Sequence, residues 1–188
     1  MKRTLVLLTA MCLSVPAFAG FRGPIQWSMG LAAGKSMNGV HGQATFVSAQ
    51  LEASRHFLAQ TEVTSGIQPM LIEQPSHFFV SEGNGNERAV ALQLTLGVRH
   101  HFGADPAKTR AFAEIVSGPL FSDKRVPVTS SRVNFYSYGT VGATFRARNG
   151  RAPYAGVRFG HISNAGIVAD RNPGYNIVSV VFGIRLAR

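Results

Sequence analysis

The chain has 188 residues, a formal net charge of +10 from 19 Lys and Arg against 9 Asp and Glu, and one cysteine. That length suits one domain with a sizeable core, or one small barrel, and is too short for two ordinary domains once a leader is removed. A single cysteine excludes a disulfide framework and a cysteine-built metal centre, the usual supports of small exported domains.

Lys2 and Arg3 precede an apolar run from Leu5 to Val15, and Ala17-Phe18-Ala19 sets small residues where a signal peptidase reads them. The expectation is a secretory signal over residues 1–19 and an exported domain over residues 20–188. Cys12 follows Met11 rather than a small residue, which argues against a lipoprotein signal. Losing Lys2 and Arg3 lowers the charge from +10 to +8. Such a field favours polyanions, although scattered solvated charges would give the same count. Outside the cytoplasm the natural polyanion is a phosphorylated lipid head group, not nucleic acid. Beyond the leader no apolar run approaches the ~20 residues of a membrane-spanning helix. A bilayer crossing would therefore have to be a barrel.

Eight segments follow in which apolar residues alternate with small or polar ones. They fall near residues 25–35, 42–54, 56–65, 89–102, 110–117, 134–146, 154–163 and 177–186. The fourth is the clearest, with Val90, Leu92, Leu94, Leu96 and Val98 opposite Ala91, Gln93, Thr95, Gly97 and Arg99. The fifth is ambiguous in parity. An even number of strands about ten residues long predicts an all-β fold, an eight-stranded antiparallel transmembrane β-barrel. Gly30, Gly34, Gly97, Gly142, Gly156, Gly160 and Gly183 share the polar face. Small side chains belong on the crowded concave side of a narrow barrel, so the polar face should point inward and the apolar face to lipid. A soluble lipid-carrying barrel would reverse that arrangement.

The links after the second, fourth and sixth segments look short, and those after the third, fifth and seventh look long or rich in Gly and Pro. Short turns face the periplasm and long loops the exterior in such barrels. The carboxyl end of the seventh segment then lies at the outer leaflet. Barrels of this kind commonly finish on an aromatic residue, whereas this chain ends Leu186-Ala187-Arg188.

Along the seventh segment Ala155, Val157, Phe159, His161 and Ser163 share the lipid side, while Tyr154, Gly156, Arg158 and Gly160 face the lumen. A His two residues from a Ser can remove the hydroxyl proton and make it nucleophilic. Polar residues in the interfacial zone are the plainer explanation of the pair. Asn164-Ala165-Gly166 follows, offering backbone N–H groups and the Asn164 amide as candidate donors to an oxyanion. A tight turn would use the same residues.

The stretch Arg158-Phe159-Gly160-His161-Ile162-Ser163-Asn164-Ala165-Gly166, followed by Asn172-Pro173-Gly174-Tyr175-Asn176, resembles the signature of the lipid A 3-O-deacylase (PagL-type) family of outer-membrane barrels. Weaker similarity reaches back to Phe112-Ala113-Glu114 and Gly118-Pro119. The resemblance implies hydrolysis of the ester-linked acyl chain at the 3-position of lipid A in the outer leaflet. It implies Ser163 as nucleophile, His161 as general base, and Asn164 with the Gly166 backbone as the oxyanion site. The family's pattern completes the triad with Glu where this chain carries Asn176, on the lipid-side parity of the eighth segment. Asn can orient an imidazole but supplies no charge to the imidazolium. Asp170 and Glu114 are less well placed as substitutes.

On this reading the protein is an esterase of the outer membrane that needs no metal or cofactor. Its partners are lipopolysaccharide and the membrane itself, a homodimer is compatible with both, and nucleic acid is not a partner. The alternatives are a non-catalytic structural or lipopolysaccharide-binding barrel and a porin-like channel, the latter opposed by the side chains that fill an eight-stranded lumen. His100-His101 reads as interfacial, with no third ligand at metal-binding spacing. The Gly83-Asn84-Gly85-Asn86 segment reads as a loop tip.

Overall fold

A computed structural model describes residues 21–37, 43–76, 85–103, 109–146, 151–168 and 172–186. The expected leader and the two C-terminal residues lie outside them. Eight strands follow in order: β1 (Arg22–Ser36), β2 (Thr45–Leu58), β3 (Thr61–Pro75), β4 (Asn86–His101), β5 (Arg110–Val126), β6 (Ser131–Thr144), β7 (Ala152–Ser163) and β8 (Tyr175–Arg185). Each pairs antiparallel with its sequence neighbour, and β8 closes onto β1 with Gly30 opposite Gly183. Closure leaves no unpaired strand edge, which a bilayer demands because its core offers no water to free amides.

The alternation decides which face is which. Outward stand Trp27, Met29, Leu31, Val90, Leu92, Leu94, Leu96, Phe159 and Phe182, all well exposed. Inward stand Ser28, Gln50, Glu52, Gln68, Gln93, Arg99, Glu114 and Arg158, all buried. The fifth strand's parity is now settled, with Phe112, Glu114 and Val116 inside and Ile115 outside. The glycine argument also holds: a Cβ on Gly142 would come 2.3 Å from the Ala155 carbonyl oxygen, and one on Gly183 would strike the Tyr154 ring.

The bore is filled by side chains. Toward the rim that carries the described chain ends, Arg99 bridges Glu52 at 2.9 Å and Glu114 at 2.6 Å, while Arg185 pairs with Glu62. Further along, Arg158 donates to Gln50 Oε1 at 3.0 Å and sits 3.8 Å from the Tyr138 ring centroid. Three guanidinium groups thus face three carboxylates, while the Nε atoms of Arg99 and Arg185 and Nδ1 of His101 are buried without a hydrogen-bond partner among the described residues. His101, predicted to be interfacial, is instead fully buried, with Nε2 3.5 Å from Glu62.

Two connections differ from the sequence reading. The turn after β2 falls at residues 59–60 rather than at residues 54–55. The polar residues that suggested a break are rim residues of a strand: Arg55 donates to the Gly23 carbonyl at 2.9 Å and His56 approaches Glu62 at 3.2 Å. After β5 the chain makes a turn over residues 127–130 instead of a long loop, because β5 and β6 continue pairing past Leu120–Asn134 to Val126–Ser131.

Candidate active site

The carboxyl end of β7 lies on the rim opposite the described chain ends, together with the ends of β3 and β5 and the starts of β6 and β8. Register brings the predicted residues to it. His161 is directly opposite Asn176 on β8 and opposite Ser137 on β6, and Ser163 is opposite Phe135. Behind them the wall is stiff: Gly160 has no Cβ because the Tyr136 ring occupies its place, 2.4 Å from where one would stand. Tyr136 in turn packs on Tyr138, with centroids 5.0 Å apart.

His161 is exposed on the outer wall, and its Nδ1 lies 2.8 Å from Asn176 Oδ1. An amide oxygen only accepts, so the ring donates from Nδ1 and its Nε2 is left with the lone pair. That is the tautomer a general base requires. Gly174 lies against the same ring: a Cβ there would be 2.7 Å from His161 Cε1 and 3.0 Å from Nε2. The close approach admits no side chain, so Gly174 positions the imidazole. In the sequence this glycine stands only as part of the flanking motif, with no catalytic role assigned; its place two residues before Asn176 was the available signal.

Ser163 shares the outward parity of His161 but not its exposure, being only 9% exposed. Just beyond it, Asn164 N–H donates to Asn172 Oδ1 at 3.0 Å. Among the described residues no hydrogen bond joins Ser163 to His161. Catalytic hydrogen bonds are often long without substrate and tighten in the complex.

The predicted oxyanion residues are placed less simply. Asn164 is fully buried and its side-chain amide donates to Ser130 Oγ at 3.1 Å, while its Oδ1 accepts from Gly166 N–H at 2.8 Å. Ile167 N–H closes the turn on the Asn164 carbonyl at 3.1 Å, with Ala165 and Gly166 at φ of 56° and 68°. Left-handed backbone at both central positions is the geometry of a type I′ turn. Glu114 points into the bore and is paired with Arg99, so it does not reach His161; Asp170 lies outside the described residues.

The outward wall thus carries an exposed His–Asn pair beside a Ser at the strand end. The lipid A 3-O-deacylase (PagL) family pattern matches residues 19–185. The chain belongs to this family. No curated protein sequence matches it at a significant level. Among solved structures, the outer membrane enzyme PagL superposes with a TM-score of 0.58 at 20% identity, covering 83% of this chain and 97% of that one. Neisserial surface protein A gives 0.60 at 10% identity, covering 87% and 97%. The outer membrane protein OprG from Pseudomonas aeruginosa gives 0.54 at 11% identity, covering 90% and 99%. These likenesses show the fold, an outer-membrane barrel. Membership of the PagL family places the chain in the outer membrane and among hydrolases that act on lipid A.

Proposed function

We propose that this protein hydrolyses the ester that links an acyl chain to the 3-position of lipid A, with Ser163 as nucleophile and His161 as general base. The observation that carries the reading is the His161–Asn176 hydrogen bond of 2.8 Å on the outward face, which leaves Nε2 as the acceptor. A soluble esterase would bury this pair in a cleft; here it is exposed on the outward wall of the barrel.

In this mechanism His161 Nε2 takes the Ser163 hydroxyl proton as Oγ attacks the ester carbonyl. The protonated ring returns the proton to the departing sugar oxygen, and a water, activated by the same nitrogen, releases the fatty acid from Ser163. The oxyanion falls to the turn after Ser163. Gly166 N–H exchanges its bond to Asn164 Oδ1 for one to the substrate oxygen, and Asn164, anchored on Ser130, holds the turn. Asn176 orients the ring without stabilising its positive charge, so turnover is slow compared with a triad completed by a carboxylate.

Asn176 also favours a second reading, a barrel that binds lipopolysaccharide without cleaving it. One experiment separates the two. Expression in a strain without its own deacylase should produce lipid A lighter by one 3-linked acyl chain, and Ser163→Ala and His161→Ala should each abolish the change while leaving a heat-modifiable barrel. An unchanged lipid A mass spectrum with the wild-type protein would exclude the esterase.

A further inference from the structure

Gly139 stands apart from the other glycines of the barrel. Gly23 has a positive φ, and a Cβ on any other strand glycine would come within 2.7 Å of another atom, so these positions require glycine. On Gly139 a Cβ would meet nothing nearer than the Glu114 carbonyl oxygen at 3.8 Å, and its φ is not positive. Neither sterics nor backbone geometry calls for glycine there, and a strand interior is weakened by one.

Its surroundings indicate what the missing side chain leaves room for. Gly139 faces outward on β6, with Ile115 opposite on β5 and Phe159 opposite on β7. Both neighbours project outward, 74% and 55% exposed, so the glycine forms the floor of a notch between two apolar walls. One step toward the rim the same face carries a polar row that runs across four strands: Ser117, Ser137, His161 and Asn176, all exposed. Ser117 and Ser137 share a hydrogen bond of 2.7 Å. The notch is therefore continuous with the candidate active site and opens to lipid. An occupant must be apolar at the notch and polar at the row, which describes an acyl chain below its ester linkage.

We infer that Gly139 is a specificity-determining residue, its notch between Ile115 and Phe159 seating the distal part of the acyl chain that is cleaved. This rests on the esterase reading above. Phe159 lies four residues below Ser163, and at ~3.3 Å per residue the notch begins about 13 Å along the strand from the nucleophile. A long chain reaches it and a short one does not.

The test uses the full barrel in detergent micelles with two lipid A analogues, one carrying a 3-O-butanoyl and the other a 3-O-tetradecanoyl group. Gly139→Leu, or Gly139→Val should the larger residue impair assembly, fills the notch. The ratio of kcat/KM for the long over the short ester should fall by at least about tenfold, since a pocket distinguishes apolar chains on that scale. Ala49→Leu, which adds to the outward face of β2 the three carbons that Gly139→Val adds to β6, should leave the ratio at its wild-type value. A heat-modifiable Gly139 variant that keeps the wild-type ratio would overturn the inference and leave the esterase intact. A wild-type barrel that cleaves neither ester would overturn both.

Discussion

His161 Nδ1 and Asn176 Oδ1 stand 2.8 Å apart, on residues paired directly across β7 and β8. Register alone brings them together, so the contact survives any change that keeps the strands and the amide oxygen. Asn176→Asp keeps the acceptor and adds a charge beside the ring. In a serine protease the reverse change lowers kcat by about 10⁴, so a gain of at least about tenfold is expected here. Asn176→Leu should fall below the wild type. The rate of fatty acid release from lipid A measures both, and an Asp variant slower than Asn would remove Asn176 from the mechanism.

Gly174 supports the other side of the same ring. A methyl group there would lie 2.7 Å from His161 Cε1 and 2.9 Å from the Ile162 carbonyl oxygen, so either the imidazole or the strand must shift. A shift of about 1 Å at a catalytic base costs on the order of 10² in rate. Gly174→Ala should therefore lose activity by roughly that factor while migrating as a folded, heat-modifiable barrel. Full activity in this variant would mean that the ring adopts another position in the working enzyme.

Much of this arrangement was legible in the residues, and the reasons are physical. A period of two fixes which side chains share a wall, so the inward Arg99 and Arg158 and the outward His161 follow from counting. The pairing of His161 with Asn176 was legible as shared parity plus the resemblance of the flanking motif. The fates of Arg55 and His56 were not, because a polar residue at a strand's rim has the same composition as a turn. Nor was the continuation of β5 past Pro119, where Ser122, Asp123 and Lys124 resemble a loop yet lie in the strand. Ser163 shows the limit most clearly: its parity was correct, but it is buried while His161, two residues away on the same face, is exposed. Burial depends on tertiary placement, which no local pattern carries.

Arg99 is the hub of the interior, bonded to Glu52 and Glu114 and set over the Phe112 ring at 5.4 Å. Removing it leaves two buried carboxylates that share no other guanidinium at bonding distance among the described residues. Breaking a buried pair on one side costs about 3–5 kcal/mol, because the partner charge remains without compensation. Arg99→Met should lower barrel stability by that amount in urea unfolding from detergent. A triple variant with Glu52→Gln and Glu114→Gln added should recover a large part of the loss. Failure of the triple variant to recover would show that Arg99 acts through packing on Phe112 rather than through charge.

Gly142 and Gly139 lie three residues apart on β6 and face opposite ways, and the contrast between them separates structural from functional glycine. A Cβ at Gly142 would come 2.3 Å from the Ala155 carbonyl oxygen and 2.9 Å from the Gly156 Cα, atoms of backbone that the β6–β7 ladder holds in place. Overpacking of this kind costs about 1–3 kcal/mol. Gly142→Ala should unfold at lower urea concentration than the wild type, whereas Gly139→Ala should match or exceed it, because alanine restricts the unfolded chain without meeting a neighbour. Equal stability of the two variants would mean that the bore has more slack than the contact distances at Gly142 allow.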